Sequence, residues 1–499
     1  MQLSRHLSLL AFASGAVALV GCEDFLDRPP QDQIVEDTFY RSEEDLRLAA
    51  YATYTPLTRQ AWLGQEGWKI MEIPSDNTAP GGSDPDFSPI DDFGVAPDNE
   101  NVGAYWNIRY RAANLANILI EKAPESGLPE AVYAPYVAEG QFVRALAYFD
   151  LVRIYGGVPL VLAKANLGDD VLLPRASVDE VYAQIEADLR AAIPQLPVTR
   201  SATEAGRATS GAARSLLAKV LLTRRDFDGA YDEALAVIES DAYRLLEDYG
   251  DLWRLETSDN NAESVFQAQH VGCGPFDVGN QMQAFFAPFG QGITGQSDGW
   301  GSQAPTSGGT AQPGTTILDI WEEGDVREYW SLFLPGACYP DINPEQGGYC
   351  YPDSPDSRAG AAIKKYVVGG GPEVCFMSTP QNANILRYAD VLLMLAEAAV
   401  GRSGGESVDP RALAAFNQVR ARAGLEPVQF LSTENVLQER RAELAFEHQR
   451  WFDLLRQPEE FTLRLLRLHG KQLEANDLLF PIPAVELQIN PNLVQNPGY

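Results

Sequence analysis

The stretch SGAARSLLAKVLLTRRDFDGAYDEALAVIE, residues 210–239, decides the fold class of this chain. It reads as two helices joined by the short polar turn Arg224-Arg225-Asp226. On the second helix, Phe227, Ala230 and Ala234 recur at the spacing of one helical face. Small residues on that face allow a neighbouring helix to approach closely. The stretch therefore predicts a closely packed pair of helices.

This helix pair is similar to a tetratricopeptide unit, and the Ala145-x-x-x-Phe149 spacing echoes the same repeat. The repeat identity is weak, so an irregular helical bundle is the alternative. Apolar spacing and cap residues predict helices at a start capped by Ser42, at 105–122, 142–155, 178–193, 210–223, 227–239, 385–400, 411–423 and 435–455. Gly156-Gly157 ends the third of these, and Ser177 with Glu180 forms a capping box at the next. The predicted fold is mainly α, with a tetratricopeptide-like helical base.

Two regions depart from this helical pattern. Between about 241 and 383, Gly, Pro, Ser, Gln and aromatic residues dominate, and 74–101 is similarly rich in Pro, Gly, Asp and Asn. Long irregular stretches of this kind often carry function. We expect one domain, 22–499, with a helical base at about 38–240 and 384–470. The loop-rich insertion at about 241–383 is expected to supply an irregular ligand-binding face.

The N-terminus predicts export. A basic start precedes an apolar run at 7–20, which is too short for a membrane span and ends at Leu19-Val20-Gly21-Cys22. This ending looks like a bacterial lipobox, so 1–21 is expected to be a signal peptide and Cys22 the lipidated residue. Acids at 23, 24 and 27 resemble the tract that directs some lipoproteins to the exterior of the outer membrane. The alternative is an ordinary secreted protein with a chance cysteine.

Composition narrows the classes of partner. The formal net charge is −31, and 45% of the residues are hydrophobic, as in a folded globular protein. Such an acidic surface repels phosphate backbones and anionic lipid headgroups. We therefore expect no nucleic-acid partner, and membrane attachment only through the lipid anchor. The acidic surface hints at a salty habitat, which the sequence does not decide.

Four cysteines other than Cys22 lie within about one hundred residues. In an exported protein they allow three disulfide pairings. Cys338 and Cys350 bracket a loop rich in Pro and Gly and are the preferred pair, which leaves Cys273 with Cys375. None of them forms a Cys-x-x-Cys pair, so a zinc or redox site is not expected.

Several ordered blocks resemble the SusD/RagB family of surface nutrient-binding lipoproteins. The blocks span nearly the whole chain behind the signal: Cys22-Glu23-Asp24-Phe25-Leu26-Asp27, Trp106-x-x-x-Tyr110-x-x-x-Asn114, Tyr155-Gly156-Gly157-Val158-Pro159-Leu160, Arg387-Tyr388-Ala389-Asp390, Asn417-Gln418-Val419-Arg420, Glu439-Arg440-Arg441-x-Glu443, Arg450-Trp451-Phe452-Asp453 and Asn490-Pro491-Asn492-Leu493. The resemblance implies a non-enzymatic lid over a SusC-like TonB-dependent transporter, which captures glycans, or in some branches peptides, and passes them into the barrel.

A glycan ligand would need flat aromatic rings for its C–H faces and polar side chains for its hydroxyl groups. Aromatic and polar residues of the loop regions and of the helix that follows the first of them are therefore the expected ligand-binding residues: Trp68, Asp76, Asn77, Trp106, Asn107, Arg109, Phe276, Phe289 and Trp300. Ser75-Asp76-Asn77 resembles a segment that lies near the ligand in the family. Trp106 also fits a helix core. Trp68 and Trp300 are favoured, because a glycine-flanked tryptophan in a loop has little core to fill.

Catalytic interpretations are weaker. Glu439, Glu443 and Glu447 recur every four residues, which could suggest a glycosidase pair. Structural ion pairing is favoured instead, because four arginines are nearby: Arg440, Arg441, Arg450 and Arg456. Gly295-x-Ser297-x-Gly299 lacks the strand and helix that a nucleophile elbow needs. The histidines are scattered and the acidic turns lack EF-hand spacing, so no metal and no cofactor are expected.

Three functions compete. A glycan-binding lipoprotein that serves a transporter leads, with a peptide- or other-nutrient-binding lid as its variant. A protein-binding helical scaffold and a glycoside hydrolase are the others. The sequence does not identify the glycan or the transporter, and it does not decide whether calcium is bound.

Overall fold

The computed structural model describes residues 39–78, 87–164, 172–273, 278–288, 292–293, 314–353, 361–375 and 378–499. Helices dominate these residues. In chain order they are α1 Glu43–Tyr54, α2 Gln65–Met71, α3 Ser88–Asp91, α4 Glu100–Lys122, α5 Glu130–Tyr155, α6 Val178–Ala192, α7 Ser210–Thr223, α8 Phe227–Glu239, α9 Met282–Phe286, α10 Val326–Ser331, α11 Tyr388–Arg402, α12 Pro410–Arg422, α13 Thr433–Glu443, α14 Arg450–Leu455, α15 Glu459–Leu468 and α16 Ala484–Ile489. None of the helices in this part of the chain is both long and apolar enough to cross a bilayer.

The long helices pack one on the next. α4 packs on α5, α5 on α6, α6 on α7 and α7 on α8, while α11 packs against α8, α12 and α13. Local signals set several of their ends. Ser177 Oγ accepts the Glu180 N–H at the start of α6, and α5 ends at Gly156, whose φ of 72° suits glycine. The mainly α prediction with a helical-repeat base is confirmed.

Two sequence expectations about the C-terminal helices are wrong. Residues 435–455 do not form one helix, because α13 ends at Glu443 and α14 begins at Arg450. Between them Phe446 and His448 adopt φ of 63° and 61°, which breaks the helical path. Residues 385–387 belong to a strand, and the helix predicted from 385 begins at Tyr388 instead.

Short antiparallel strand pairs lie mainly between α8 and α11, with one further pair after α11. The strands are β1 Ser264–Ala268, β2 Leu332–Phe333, β3 Cys338–Tyr339, β4 Tyr349–Cys350, β5 Ala362–Ile363, β6 Ala383–Arg387, β7 Glu406–Ser407 and β8 Leu431–Ser432. β1 pairs with β6, β2 with β5, β3 with β4, and β7 with β8. Side chains of this region share one hydrophobic core with both helical flanks.

Two disulfides staple the same region. Cys338 is directly opposite Cys350 in the β3–β4 pair and is bonded to it, and Cys273 is bonded to Cys375. This confirms the preferred pairing. The two bridges hold separate parts of a region that has few long elements of its own.

Candidate functional site

The segment 72–78 connects α2 to residues 79–86, which lie outside the described part of the chain, and buried arginines hold it. Arg450 donates two hydrogen bonds to the Asp76 carboxylate, from Nε to Oδ1 at 2.6 Å and from Nη2 to Oδ2 at 2.8 Å. Arg441 donates to the Asp76 carbonyl at 2.7 Å and to Asn77 Oδ1 at 2.9 Å. We call Asp76, Asn77, Arg441 and Arg450 the loop clamp. It ties this segment to α13 and α14.

The loop clamp also reaches a second segment. Arg441 Nη1 donates to the Thr315 carbonyl at 3.1 Å, just after residues 294–313, which are likewise outside the described part. Burial lowers the pKa of Arg441 to about 10. Although burial raises it, the charges of Arg441 and Arg450 hold the pKa of Asp76 well below its usual value. One guanidinium therefore binds Asp76 and Asn77 in the first loop-rich region and Thr315 in the second.

Other buried groups extend this attachment. Glu72 accepts hydrogen bonds from Asn77 Nδ2 and from the His448 backbone N–H, both at 3.0 Å. Burial raises the pKa of Glu72 to about 7. Lys471 Nζ donates to the Ile73 carbonyl at 2.7 Å and to Asp91 Oδ1 at 2.6 Å, which joins the chain on both sides of residues 79–86. Asp76 and Asn77 are thus at most 1% exposed and lie in a polar, fully buried frame.

Trp68 lies in α2. The sequence predicts a loop at this position, and that expectation is wrong. Its ring is 2% exposed and packs 5.9 Å from Phe87 and 5.4 Å from Phe286, centroid to centroid. The neighbouring Gly67 is a packing residue, because a Cβ there would be 2.0 Å from the Trp62 carbonyl oxygen. The Trp68 indole Nε1 is buried without a hydrogen-bond partner among the described residues. Its ligand-stacking role stays a prediction, and in this structure the ring fills the core.

The predicted residues of α4 separate by side-chain direction. Trp106 is 3% exposed and packs on Tyr110 and Tyr155, with centroids 4.9 and 5.0 Å apart, which fits its alternative as a core residue. Arg109 is fully buried, donates to the Trp62 carbonyl at 2.9 Å, and lies 3.4 Å above the Tyr105 ring centroid. Asn107 is exposed. Of these three, only Asn107 presents its side chain to solvent.

The remaining predicted positions lie outside the described residues. These are Phe276, Phe289 and Trp300, the lipidation residue Cys22, and the Gly295-x-Ser297-x-Gly299 pattern. The structure therefore brings Asp76 and Asn77 together and places Trp68, Trp106 and Arg109 in the interior.

The glutamates of α13 and its extension are ion-paired, as predicted. Glu439 lies 2.6 Å from Arg327, Glu443 lies 2.6 Å from Arg387, and Glu447 lies 2.9 Å from Lys365. Although burial raises both values, basic partners hold the pKa values of Glu443 and Glu447 below normal. A glycosidase acid needs the opposite shift.

The partners of these glutamates differ from those that the sequence indicated. Arg440 and Arg456 pair with Asp453, while Arg441 and Arg450 belong to the loop clamp. Among the described residues there is no group of three His, Cys, Asp or Glu side chains that could hold a metal ion.

The loop clamp is a feature of the candidate site that sequence reasoning missed. Asp76 and its two arginines are more than 360 positions apart, so spacing along one helix could not reveal the contact. The available signal was only the presence of arginines beyond those needed for the α13 glutamates.

Comparisons with known proteins identify the family. A protein-family model described as "SusD family" matches residues 282–499 of the sequence. A second family model, described as "Starch-binding associating with outer membrane", matches residues 24–222. A SusD-like protein of Bacteroides ovatus is 31% identical over 476 residues, which cover 91% of this chain and 83% of that protein. The chain belongs to the SusD family. Its tetratricopeptide-like helical base is the base of that family's fold.

Solved structures of other proteins superpose on nearly the whole chain. One, solved with a xylogluco-oligosaccharide, has a TM-score of 0.77 at 28% identity and covers 89% of this chain and 97% of its own. Another, a laminarin-binding SusD-like protein, has a TM-score of 0.75 at 28% identity and covers 92% of this chain and all of its own.

Proposed function

We propose that this SusD-family protein is a glycan-binding protein of the outer-membrane surface, and that it delivers oligo- or polysaccharide to a SusC-like TonB-dependent transporter. The observation that carries the proposal is similarity along nearly the whole chain to SusD-like proteins, one of which binds laminarin, and to a protein solved with a xylogluco-oligosaccharide. Similarity of this extent covers both the helical base and the region between its two halves.

The loop clamp supports the proposal physically. A binding site gains affinity when its parts are fixed before the ligand arrives, because less conformational entropy is lost on binding. The clamp holds Asp76 and Asn77, which precede segment 79–86, and Thr315, which follows segment 294–313; Trp300 belongs to the second segment. We assign glycan contact to Trp300, to Phe276 and Phe289, and to the exposed Asn107.

The proposed protein is a binder and not an enzyme. Glu439, Glu443 and Glu447 are the strongest candidates for a catalytic carboxylate pair, but each forms an ion pair with a buried basic side chain. A general acid would need a raised pKa and access to substrate.

Membrane attachment completes the proposal. Lipid on Cys22 would anchor the protein to the outer membrane with its glycan-binding face toward the exterior, and more than one acyl chain makes such anchoring stable. Metabolic labelling with a palmitate analogue tests this, because label should enter the wild type and not a Cys22→Ala variant. The transporter proposal predicts that a barrel protein co-purifies with the anchored chain in mild detergent.

Affinity gel electrophoresis tests glycan binding directly. The chain lacking residues 1–22 is run through native gels that contain laminarin, xyloglucan, starch or no polysaccharide. We expect one polysaccharide to slow the protein, and to slow it more at higher polysaccharide concentration, because protein bound to the polymer in the gel is held back. Trp300→Ala should reduce the retardation, and Ser403→Ala, a change of one exposed residue at the end of α11, should not. Equal mobility of the folded wild type in every gel would contradict the proposal.

A further inference from the structure

A second opening lies in the helical base, and its lining includes no loop-clamp residue and no predicted ligand residue. It is a cavity of about 390 Å³ between the stretch 198–209, which leads into α7, the residue pair Ala242 and Tyr243, and the strand β1 with Asn260. This volume is within the range of about 300–1,000 Å³ that small-molecule sites occupy. The small residues Ala202, Ala205 and Gly206 are part of its lining.

Tyr243 gives the cavity a fixed aromatic wall. Its ring stacks on Tyr388, with centroids 6.5 Å apart and an interplanar angle of 29°. Its hydroxyl lies 2.8 Å from Thr209 Oγ1, so both ends of the side chain are held. Gly211 permits this position, because a Cβ there would be 2.5 Å from the ring. A half-buried ring held in one orientation suits the C–H face of a sugar.

Polar groups line the other walls, and the two arginines among them are ion-paired. Arg200 Nη2 lies 3.0 Å from the Glu139 carboxylate, which also binds Arg207, and Arg207 also pairs with Glu204. Two cations and two anions therefore balance beside the cavity. Ser201 and Asn260 are exposed, and Asn260 exchanges amide hydrogen bonds of 2.9 and 3.1 Å with Gln269. Hydroxyl and amide groups of this kind donate to and accept from sugar hydroxyls.

We propose that this base cavity is a second carbohydrate subsite, which takes a short uncharged stretch of glycan against Tyr243. The balanced charges disfavour an anionic ligand, and the combination of one oriented ring with hydroxyl and amide groups fits a neutral sugar. The proposal rests on the proposed glycan-binding function. It adds a site on the helical base, which lets one long polysaccharide chain engage the protein at two places.

The test blocks the cavity without touching the loop clamp. In Ala202→Trp, an exposed alanine of the cavity wall becomes a bulky ring that can occupy part of the cavity. Asn260→Gly removes an amide while keeping the backbone conformation, since Asn260 has a φ of 49° that glycine adopts freely. Ser403→Trp adds the same bulk at an exposed position outside the cavity. Melting curves first establish that all three variants fold.

Calorimetry with laminari- and xylogluco-oligosaccharides then gives the stoichiometry, and hydrogen–deuterium exchange locates the sugar. We expect two equivalents on the wild type and on Ser403→Trp, with slower exchange in 198–209 and 260–267, and one equivalent on Ala202→Trp. Asn260→Gly should weaken the second equivalent about tenfold. One equivalent on the wild type, unchanged in Ala202→Trp, would overturn the base subsite and leave the proposed function standing. No uptake by the folded wild type would overturn both.

Discussion

Replacing Asp76 by Asn separates two roles for this residue, because the sequence suggests ligand contact and the structure shows a buried ion pair. The substitution keeps the shape of the side chain and removes its charge. Arg450 then loses a carboxylate bound at 2.6 and 2.8 Å, and Arg441 loses a charge at 3.3 Å. Arg441 keeps its hydrogen bonds to Asn77 and Thr315, so the larger loss of electrostatic stabilisation falls on Arg450.

The expected cost is large. Removing one partner of a buried ion pair costs about 3–5 kcal/mol, because the other charge is left buried and uncompensated. Asn retains one acceptor oxygen and Arg450 also donates to the Leu437 carbonyl at 3.2 Å, so we expect the lower end, about 3 kcal/mol.

Urea unfolding followed by tryptophan fluorescence and circular dichroism measures this loss. Asp228→Asn is the matched control, since its exposed carboxylate at the start of α8 should change the free energy of unfolding by less than about 0.5 kcal/mol. In the double variant Asp76→Asn/Arg450→Met the loss should be smaller than the sum of the two single losses. An Asp76→Asn protein as stable as the wild type, but unable to bind glycan, would refute the loop clamp and favour direct ligand contact.

Three further predictions concern stability. Glu72 has a pKa of about 7 in the folded protein, above its unfolded value, so it stays protonated on folding and costs stability as pH rises from about 4.5 to 7. Glu72→Gln should therefore gain stability relative to the wild type across that window in urea titrations, and a constant difference would contradict the shift. Replacing Cys338 and Cys350 by Ser should lower the free energy of unfolding by about 3 kcal/mol. Reducing agent should cause no further loss of stability from this loop in the variant, because the bond is already absent. Gly67→Ala should cost more than about 2 kcal/mol, since its Cβ meets the Trp62 carbonyl, and a neutral result in thermal melts would show that α2 can shift.

Local signals made part of the fold predictable. α7 and α8 have the bounds read from their periodicity, and the Ser177–Glu180 box marks the start of α6. These features depend on neighbours within four residues, which the sequence displays. The strand pairs could not be read in the same way, because β2 and β5 contribute only two residues each and are joined by tertiary contacts.

The break between α13 and α14 shows where local reasoning fails. The sequence 435–455 has no Gly or Pro to interrupt it, yet Phe446 and His448 adopt left-handed conformations. Distant groups hold the turn, since the His448 N–H donates to Glu72 and its ring Nε2 lies 3.0 Å from the Leu63 carbonyl oxygen. Such contacts offset a backbone cost that the local sequence would avoid.

The surroundings of the predicted site residues could not be read from the sequence for a related reason. Gly64 and Gly67 around Trp68 suggested an open loop, but both glycines allow close backbone packing that buries the ring. The polar residues Asp76 and Asn77 suggested ligand contact, but arginines more than 360 positions away bury them as ion-pair and hydrogen-bond partners. Polar residues and glycines alone do not distinguish an exposed binding loop from a buried segment that distant side chains hold in place.

The central claim is that this chain binds glycan, and the most direct test is titration of the folded chain lacking residues 1–22 with laminari- and xylogluco-oligosaccharides. Tryptophan fluorescence and calorimetry follow the titration at low and high salt, with a peptide mixture as comparison. The account predicts saturable binding of an oligosaccharide at both salt concentrations, because neutral sugars are recognised by stacking and hydrogen bonds. Saturable binding of peptide alone, with no response to either sugar from a folded sample, would contradict it.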